Sequence, residues 1–260
     1  MTLKYTTKEI MAVMLARQIK DGQTAIVGTG LPLIGGALAK NSYAPNCHLI
    51  FESGVVDADP MEVPTSVADL RLMTRASVLW EPFRYFGFLS KSIKHGTIDL
   101  GFLGGAQIDP YGNLNSTVIG DYYKPKTRFT GSGGANGIAT YVNTVIIMQH
   151  EKRRFVEKVD YLTSPGWING PDGRREAGLP SEKGPLAVVT ELGIMRFDDE
   201  TKRMYVAEYY PGVDLNEIIE RTGFEIDVSR AVQTKEPEEE VLKVLREKVD
   251  PSGSFIGKTK

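Results

Sequence analysis

The chain has 260 residues and carries 33 acidic against 31 basic side chains, a formal net charge of -2; it is long enough to bury a sizeable core. This near balance argues against a general nucleic-acid surface or an anionic-membrane binder. The lone cysteine, Cys47, excludes an intrachain disulfide, the polar start lacks a signal-peptide core, and no apolar run approaches the ~20 residues of a spanning helix, so a soluble cytoplasmic protein is expected.

Thr6-Thr7-Lys8-Glu9 has the form of a capping box, in which Thr6 accepts from the N–H three residues on and Glu9 reaches back. Ile10, Met11, Met14, Leu15 and Ile19 follow at helical spacing, and Asp21-Gly22 ends the run. A strand over 24–27 then leads into Gly28-Thr29-Gly30-Leu31-Pro32 and a helix through Lys40. That order offers backbone N–H groups to an anion, although the same residues also suit a plain tight turn. His48-Leu49-Ile50-Phe51 is a short run with β-branched and aromatic content, stopped by Glu52-Ser53-Gly54, and reads as a buried strand. Glu52 stands at its carboxyl end, the side of an open α/β sheet on which ligands bind. It is a candidate nucleophile or base, or else a solvated strand-end glutamate.

The acidic stretch 55–64, with Asp57, Asp59 and Glu62, lacks both the alternation of a calcium loop and any histidine, and reads as a solvated loop with no metal. A helix is expected over 66–73, capped by Ser66 or Asp69, and an amphipathic one over 83–94 with Phe86, Leu89 and Ile93 on one face. A strand over 98–103 enters Gly104-Gly105-Ala106-Gln107, followed by turn chemistry at Asp109-Pro110-Tyr111-Gly112-Asn113. A further glycine loop spans Gly131-Ser132-Gly133-Gly134-Ala135-Asn136-Gly137. Two such segments within about thirty residues suggest a ligand wrapped by main chain, since glycine gathers where backbone must approach something closely.

A buried strand covers 142–148, and the run Gln149-His150-Glu151-Lys152-Arg153-Arg154 after it is either a phosphate holder or a solvated face. The glycine- and proline-rich stretch 161–184 reads as an ordered loop, with a candidate site at Thr163-Ser164-Pro165-Gly166-Trp167. Strands over 186–190, 193–197 and 203–209 form an antiparallel meander at one edge of the sheet. A short helix over 214–222 has Asp214 and Glu217 as a cap pair, and a C-terminal helix over 238–249 is acidic at its start and basic at its end. With no repeat and no shift of composition, residues 1–260 read as a single α/β domain: an open, largely parallel sheet with flanking helices and an antiparallel edge.

Taken together, these motifs resemble the β subunit of the class I (family I) coenzyme A transferases along essentially the whole chain. The resemblance rests on Gly28-Thr29-Gly30-Leu31-Pro32, Glu52-Ser53-Gly54, the run from Gly104 through Asn115, and Gly131-Ser132-Gly133-Gly134-Ala135-Asn136-Gly137. The segments 148–154 and 163–167 point to the glutaconate branch. The resemblance implies a CoA-transferase-like fold completed by a related α subunit, with acyl-CoA and a carboxylic acid, glutaconate by its branch, as substrates. It implies Glu52 as the nucleophile of a ping-pong reaction, Gly133 and Gly134 as oxyanion donors, and Gly104, Gly105, Ala106, Gln107, Gly131 and Ala135 as walls around CoA. Gly28, Gly30, Ser53 and Gly54 would support the nucleophile, and no cofactor would be bound permanently, CoA being substrate and covalent intermediate. Similar sequences decarboxylate acyl-CoA with a cysteine at the nucleophile position, or hydrolyse CoA-linked rings and lack the glutamate; a non-catalytic acyl-CoA-binding subunit is a further alternative. Glu52 favours transfer, and Cys47 reads as a small buried hydrophobe.

Overall fold

The computed structural model describes residues 5–58, 64, 66, 69–81, 84, 87 and 97–257. They divide into two compact units, one of residues 1–102 with 236–260 and one of residues 103–235. Asp59, Glu62 and nearly all of the expected amphipathic segment 83–94 lie outside the described residues. Among the described residues no helix is long and apolar enough to cross a membrane.

The first unit opens with helix α1, Thr7–Ala16, and its capping box forms as expected: Glu9 N–H donates to Thr6 Oγ1 (3.3 Å) and Thr6 N–H to Glu9 Oε2 (2.7 Å). Strand β1 (Thr24–Val27), helix α2 (Leu31–Lys40) and strand β2 (His48–Phe51) follow. Two adjacent glycines let α2 pack on two sides. A Cβ at Gly35 would lie 2.7 Å from Leu15 Cβ of α1, and one at Gly36 would lie 3.0 Å from Val27 Cγ1 of β1. The β1 and β2 strands pair in parallel, Thr24 with His48 through Val27 with Phe51, and strand Leu100–Leu103 pairs in parallel on the other side of β1. The two-residue strands Val55–Val56 and Val78–Leu79 add antiparallel pairing beyond β2. That edge is absent from the sequence reading because two residues carry no alternation to detect. Residues 67 and 68 of the expected helix 66–73 lie outside the described residues; its later part is a 3-10 turn, Leu70–Met73, capped by the Asp69 carboxylate on Arg71 N–H. The C-terminal helix, Glu239–Val244, continues through a wide turn to Val249, and Arg246 reaches the buried Glu9 carboxylate at 2.6 Å.

In the second unit the strand Asn143–Ile147 pairs in parallel with Pro185–Val189. Gly193–Phe197 and Met204–Tyr209 then follow antiparallel, which is the expected meander. Two small antiparallel ribbons, Gln107–Ile108 with Leu114–Asn115 and Val118–Gly120 with Pro125–Arg128, stand beside it. The α/β class, the parallel pairing and the antiparallel edge agree with the expectation from sequence.

The run 149–154 is not a uniform solvated face. Arg153 and Arg154 both pair with Glu151, at 2.7 and 3.0 Å, and His150 is fully buried. The His150 ring stacks on Phe155 at 4.1 Å, and its Nε2 donates to Thr222 Oγ1 at 2.9 Å, since that hydroxyl itself donates to Ile218 O. Burial, with the nearby Arg221 guanidinium, pushes the imidazole pKa down to about 3. An unfolded histidine titrates near ~6.5, so neutral His150 contributes stability that is complete above that value and lost as pH falls from there towards 3. Urea unfolding at pH 7.5 and pH 5 should therefore show about 2 kcal/mol more loss at the lower pH in the wild type than in His150→Gln. Equal losses in the two proteins would count against a buried neutral imidazole.

Candidate active site

The register Val27 with Phe51 in a parallel pair brings two carboxyl ends side by side, so the loop from Gly28 and the turn from Glu52 leave neighbouring strands on one edge. At the first, Gly30 (φ +78) caps α2 with Pro32 in its first turn, and Gly30 O accepts from Ile34 N–H. At the second, the chain reverses within three residues: Gly54 N–H donates to Phe51 O at 2.9 Å, closing the turn over Glu52 and Ser53. The turn is fixed from outside by Trp80, whose N–H donates to Gly54 O at 2.7 Å. Gly54 has φ +84, and a Cβ there would lie 2.1 Å from Trp80 O. Only glycine meets both demands.

Below the turn, Asp57 clamps the strand. Its Oδ1 accepts from Leu49 N–H (3.0 Å) and from Lys40 Nζ (2.8 Å), and its Oδ2 contacts His48 Nδ1 at 2.6 Å. The one member of the acidic stretch that the structure describes in full is thus an ion-paired brace. Cys47, at the entry of β2, is fully buried with its thiol pKa raised by burial, as expected of a small hydrophobe.

The Glu52 side chain is half-buried, and among the described residues no hydrogen bond or ion pair satisfies its carboxylate. Desolvation alone raises its pKa above the usual glutamate value. Nearby, Ser53 Oγ is buried with no partner among the described residues. An under-solvated carboxylate on a rigid turn is suited to nucleophilic attack, because little hydration must be stripped from it at the moment of reaction.

In the second unit, the two glycine segments meet on one short stretch. Ala106 N–H donates to Asn115 O (2.7 Å), and Gly131 N–H donates to the next carbonyl, Ser116 O (3.1 Å). Gly104 and Gly105 therefore flank one side of 115–116, and Gly131 through Ala135 the other. Gln107 is pinned in this frame: its Oε1 accepts from Asn115 Nδ2 (2.7 Å) and Asp160 N–H (3.0 Å). Its side-chain carbonyl is thus engaged in structure. Gly133 (φ +51) and Gly134 precede the helix Ala135–Tyr141, whose Ala135 N–H turns back to Ser132 O. The Gly133 and Gly134 amides have no hydrogen bond among the described residues, so two main-chain donors stand open in sequence.

The segment 163–167 supports both parts of this frame. Thr163 Oγ1 accepts from Ser116 N–H (3.0 Å), and Thr163 O accepts from Asn136 Nδ2 (2.8 Å). Further along, Asn113 Oδ1 accepts from the N–H groups of Gly166 (2.8 Å) and Ile168 (3.2 Å), while its own amide is held by Asp109 Oδ2 (2.8 Å). Burial lifts the Asp109 pKa to about 6. The sequence names the glycines and Glu52 as candidates and includes Thr163 and Asn136 in its candidate segments, but it shows neither Trp80 nor the bonds by which these groups hold the turns, because a lone tryptophan or threonine advertises no partner.

Gly54→Ala should lower stability by on the order of 1–3 kcal/mol, read as a fall in Tm, because the added carbon enforces both a strained φ and a main-chain collision. A Tm equal to wild type would show that the turn under Trp80 is not as tight as described.

With this geometry in place, comparisons with known proteins are specific. A family profile described as coenzyme A transferase matches residues 8–221. The β subunit of glutaconate CoA-transferase from Acidaminococcus fermentans is 58% identical over 253 residues, covering 97% of this chain and 95% of its own. The β subunit of 3-oxoadipate CoA-transferase from Pseudomonas knackmussii is 41% identical over 247 residues, covering 93% and 92%. The crystal structure of glutaconate coenzyme A-transferase from Acidaminococcus fermentans superposes with a TM-score of 0.95 at 56% identity, covering 98% of this chain and 99% of that one. A match this long and this close, across both units, shows that the chain belongs to the coenzyme A transferase family, as a CoA-transferase chain of the β-subunit kind.

Proposed function

We propose that the chain is the β subunit of an acyl-CoA:carboxylate CoA-transferase in which Glu52 carries CoA as a glutamyl thioester, all 260 residues acting as one functional domain. The observation that carries this reading is the Glu52 carboxylate, half-buried on a fixed strand-end turn, without a hydrogen-bonding partner among the described residues and raised in pKa by desolvation. The ionised carboxylate attacks the thioester carbonyl of acyl-CoA, the C–S bond breaks, and a mixed anhydride and CoA thiolate result. The thiolate then attacks the glutamyl carbonyl, expelling the original carboxylate and leaving Glu52 joined to CoA. An incoming carboxylate attacks that thioester, releasing CoA thiolate, which takes the new acyl group from the anhydride and restores Glu52. Protons and electrons balance at every step, and no water or external oxidant enters.

Each attack passes through a tetrahedral oxyanion, for which the open amides of Gly133 and Gly134 are the proposed donors. Gly104, Gly105, Ala106, Gln107, Gly131 and Ala135 are proposed to lie along CoA, with Gly28, Gly30, Ser53 and Gly54 shaping the surroundings of the nucleophile. CoA acts as substrate and transient covalent group, with no permanent cofactor. The relatives' names, each that of one subunit among several, support an α-type partner chain, and the 58% identity supports a dicarboxylate such as glutaconate as the acid. The cytoplasm is the proposed compartment, in keeping with a single reduced, buried cysteine.

The nucleophile is tested with the co-expressed αβ enzyme. Incubation with acyl-CoA alone should add CoA covalently to this chain in intact-mass spectra. Glu52→Gln and Glu52→Ala should form no adduct and lose transfer by at least ~10⁴-fold while still assembling with the partner. An adduct that persists in Glu52→Ala would move the covalent step elsewhere.

Glu52 must be ionised to attack, and burial raises its pKa. The acid limb of kcat/KM should accordingly fall at a pH above the ~4.3 of an ordinary glutamate, with activity lost below that point and retained above it. A limb at or below the ordinary value would show that the carboxylate is solvated in the working enzyme.

A further inference from the structure

We infer that Arg174 is a positioning residue for the Gly133-Gly134 donor pair, holding the far end of the helix that those glycines begin. This inference rests on the oxyanion role proposed above for the two amides. The sequence Gly173-Arg174-Arg175-Glu176 looks like a solvated charged turn, and its neighbour behaves as one: Arg175 is exposed and pairs with Asp172. Arg174 does the opposite. Only 1% of it is accessible, and its guanidinium donates to main-chain carbonyls alone.

The pattern of those carbonyls is informative. Nη2 donates to Thr140 O at 2.7 Å and Nη1 to Ala139 O at 3.2 Å, in the last turn of the helix Ala135–Tyr141. Nη1 also donates to Gly166 O (2.9 Å), with Pro165 O at 3.4 Å, and Nε donates to Pro180 O (2.9 Å). One planar cation thus ties the carboxyl end of that helix to two separate loop segments. Carbonyls at a helix end lack intrahelical donors, and a cation there complements the dipole. At the other end of the same short helix, Asn136 Nδ2 holds Thr163 O, within the loop segment that continues to Pro165 and Gly166. The helix is seven residues long, so a tilt or axial shift at its last turn moves Gly134, its N-cap residue, by a comparable amount. An oxyanion donor must sit within tenths of an ångström of its place to be effective.

Burying a guanidinium outside any salt bridge is costly, and here burial pulls its pKa down to about 10, offset in part by the charge of Glu182. A neutral side chain would fill the space at less expense, yet it would not reach three segments of main chain in one plane, which only the guanidinium fork does.

The test uses the αβ enzyme carrying Arg174→Gln or Arg174→Lys, assayed well below each variant's Tm. Positioning predicts that kcat falls by on the order of 10²-fold in Arg174→Gln with KM for acyl-CoA within about twofold, as for loss of an oxyanion donor, and that Arg174→Lys recovers part of it. Amide exchange should quicken over 131–136 in both variants. A folded, assembled Arg174→Gln enzyme with wild-type kcat would overturn the inference. So would failure of both variants to assemble, which would make Arg174 a folding determinant. Covalent CoA on Glu52 in the wild type is measured alongside: if it is absent, the mechanism fails, whereas if it is present with kcat unchanged in the variants, only the role of Arg174 fails.

Discussion

The under-solvated carboxylate of Glu52 is the constraint from which the rest of the first unit follows. Leaving a carboxylate half out of water without a donor to compensate it is unfavourable, and a protein keeps such a group only where the surrounding backbone leaves it no alternative. Here the backbone is fixed three ways: by the parallel register of β1 and β2, by Asp57 bracing Leu49 and Lys40 beneath the turn, and by the Trp80 main chain gripping Gly54. The last of these demands a residue with no side chain at position 54. A swing of the turn outward would hydrate Glu52 and relieve its pKa, and it would also break the Gly54–Trp80 bond and expose Phe51. The balance favours the inward turn because apolar burial and main-chain bonds together outweigh one poorly solvated charge.

In the second unit the same economy works with main chain instead of side chain. Asn115 and Ser116 each give a carbonyl to a different glycine segment, so one short stretch of main chain is bonded to both. The buried polar side chains of Asn113, Asn115 and Thr163, and the side-chain carbonyl of Gln107, are hydrogen-bonded to neighbouring loops. Among the described residues the N–H groups of Gly133 and Gly134 have no hydrogen-bond partner. In the proposed mechanism a ligand oxygen there would meet fixed main-chain amides, the condition under which such donors act most strongly on developing charge.

How much of this was legible in the sequence depends on how far each signal reaches along the chain. The capping box at Thr6 and Glu9 is a local code and appears as written. The strand ending at Glu52 declared itself by apolar content and an abrupt turn, and the meander over 185–209 by alternation and short turns. Short edge strands at 55–56 and 78–79 carry two residues each and leave no periodic trace. His150 sat among charges and read as one of them; its burial is decided by Phe155, Thr190 and Thr222, none of which its neighbours announce. Arg174 is the extreme case. Two adjacent arginines look alike in sequence, yet one is solvated and the other surrounded by carbonyls drawn from 139 to 180, a distinction made wholly by tertiary contacts.

The raised pKa of Glu52 also bears on why a glutamate, and not a stronger nucleophile, suits an exchange between two acids. Free energy changes little when one thioester replaces another, so the covalent intermediate proposed above would have to be neither a sink nor a peak. In the proposed mechanism a carboxylate nucleophile gives a mixed anhydride and then a glutamyl thioester, and that thioester, like the acyl-CoA substrate, joins CoA to the acyl group of a carboxylic acid. Desolvation then tunes the single variable left, the reactivity of the ionised oxygen, and does so without any added acid or base. Too much burial would hold Glu52 protonated at neutral pH and stop attack; too little would return it to the reactivity of a dissolved carboxylate. Half-buried on its turn, with its pKa raised by desolvation, Glu52 lies between a fully solvated and a fully buried carboxylate.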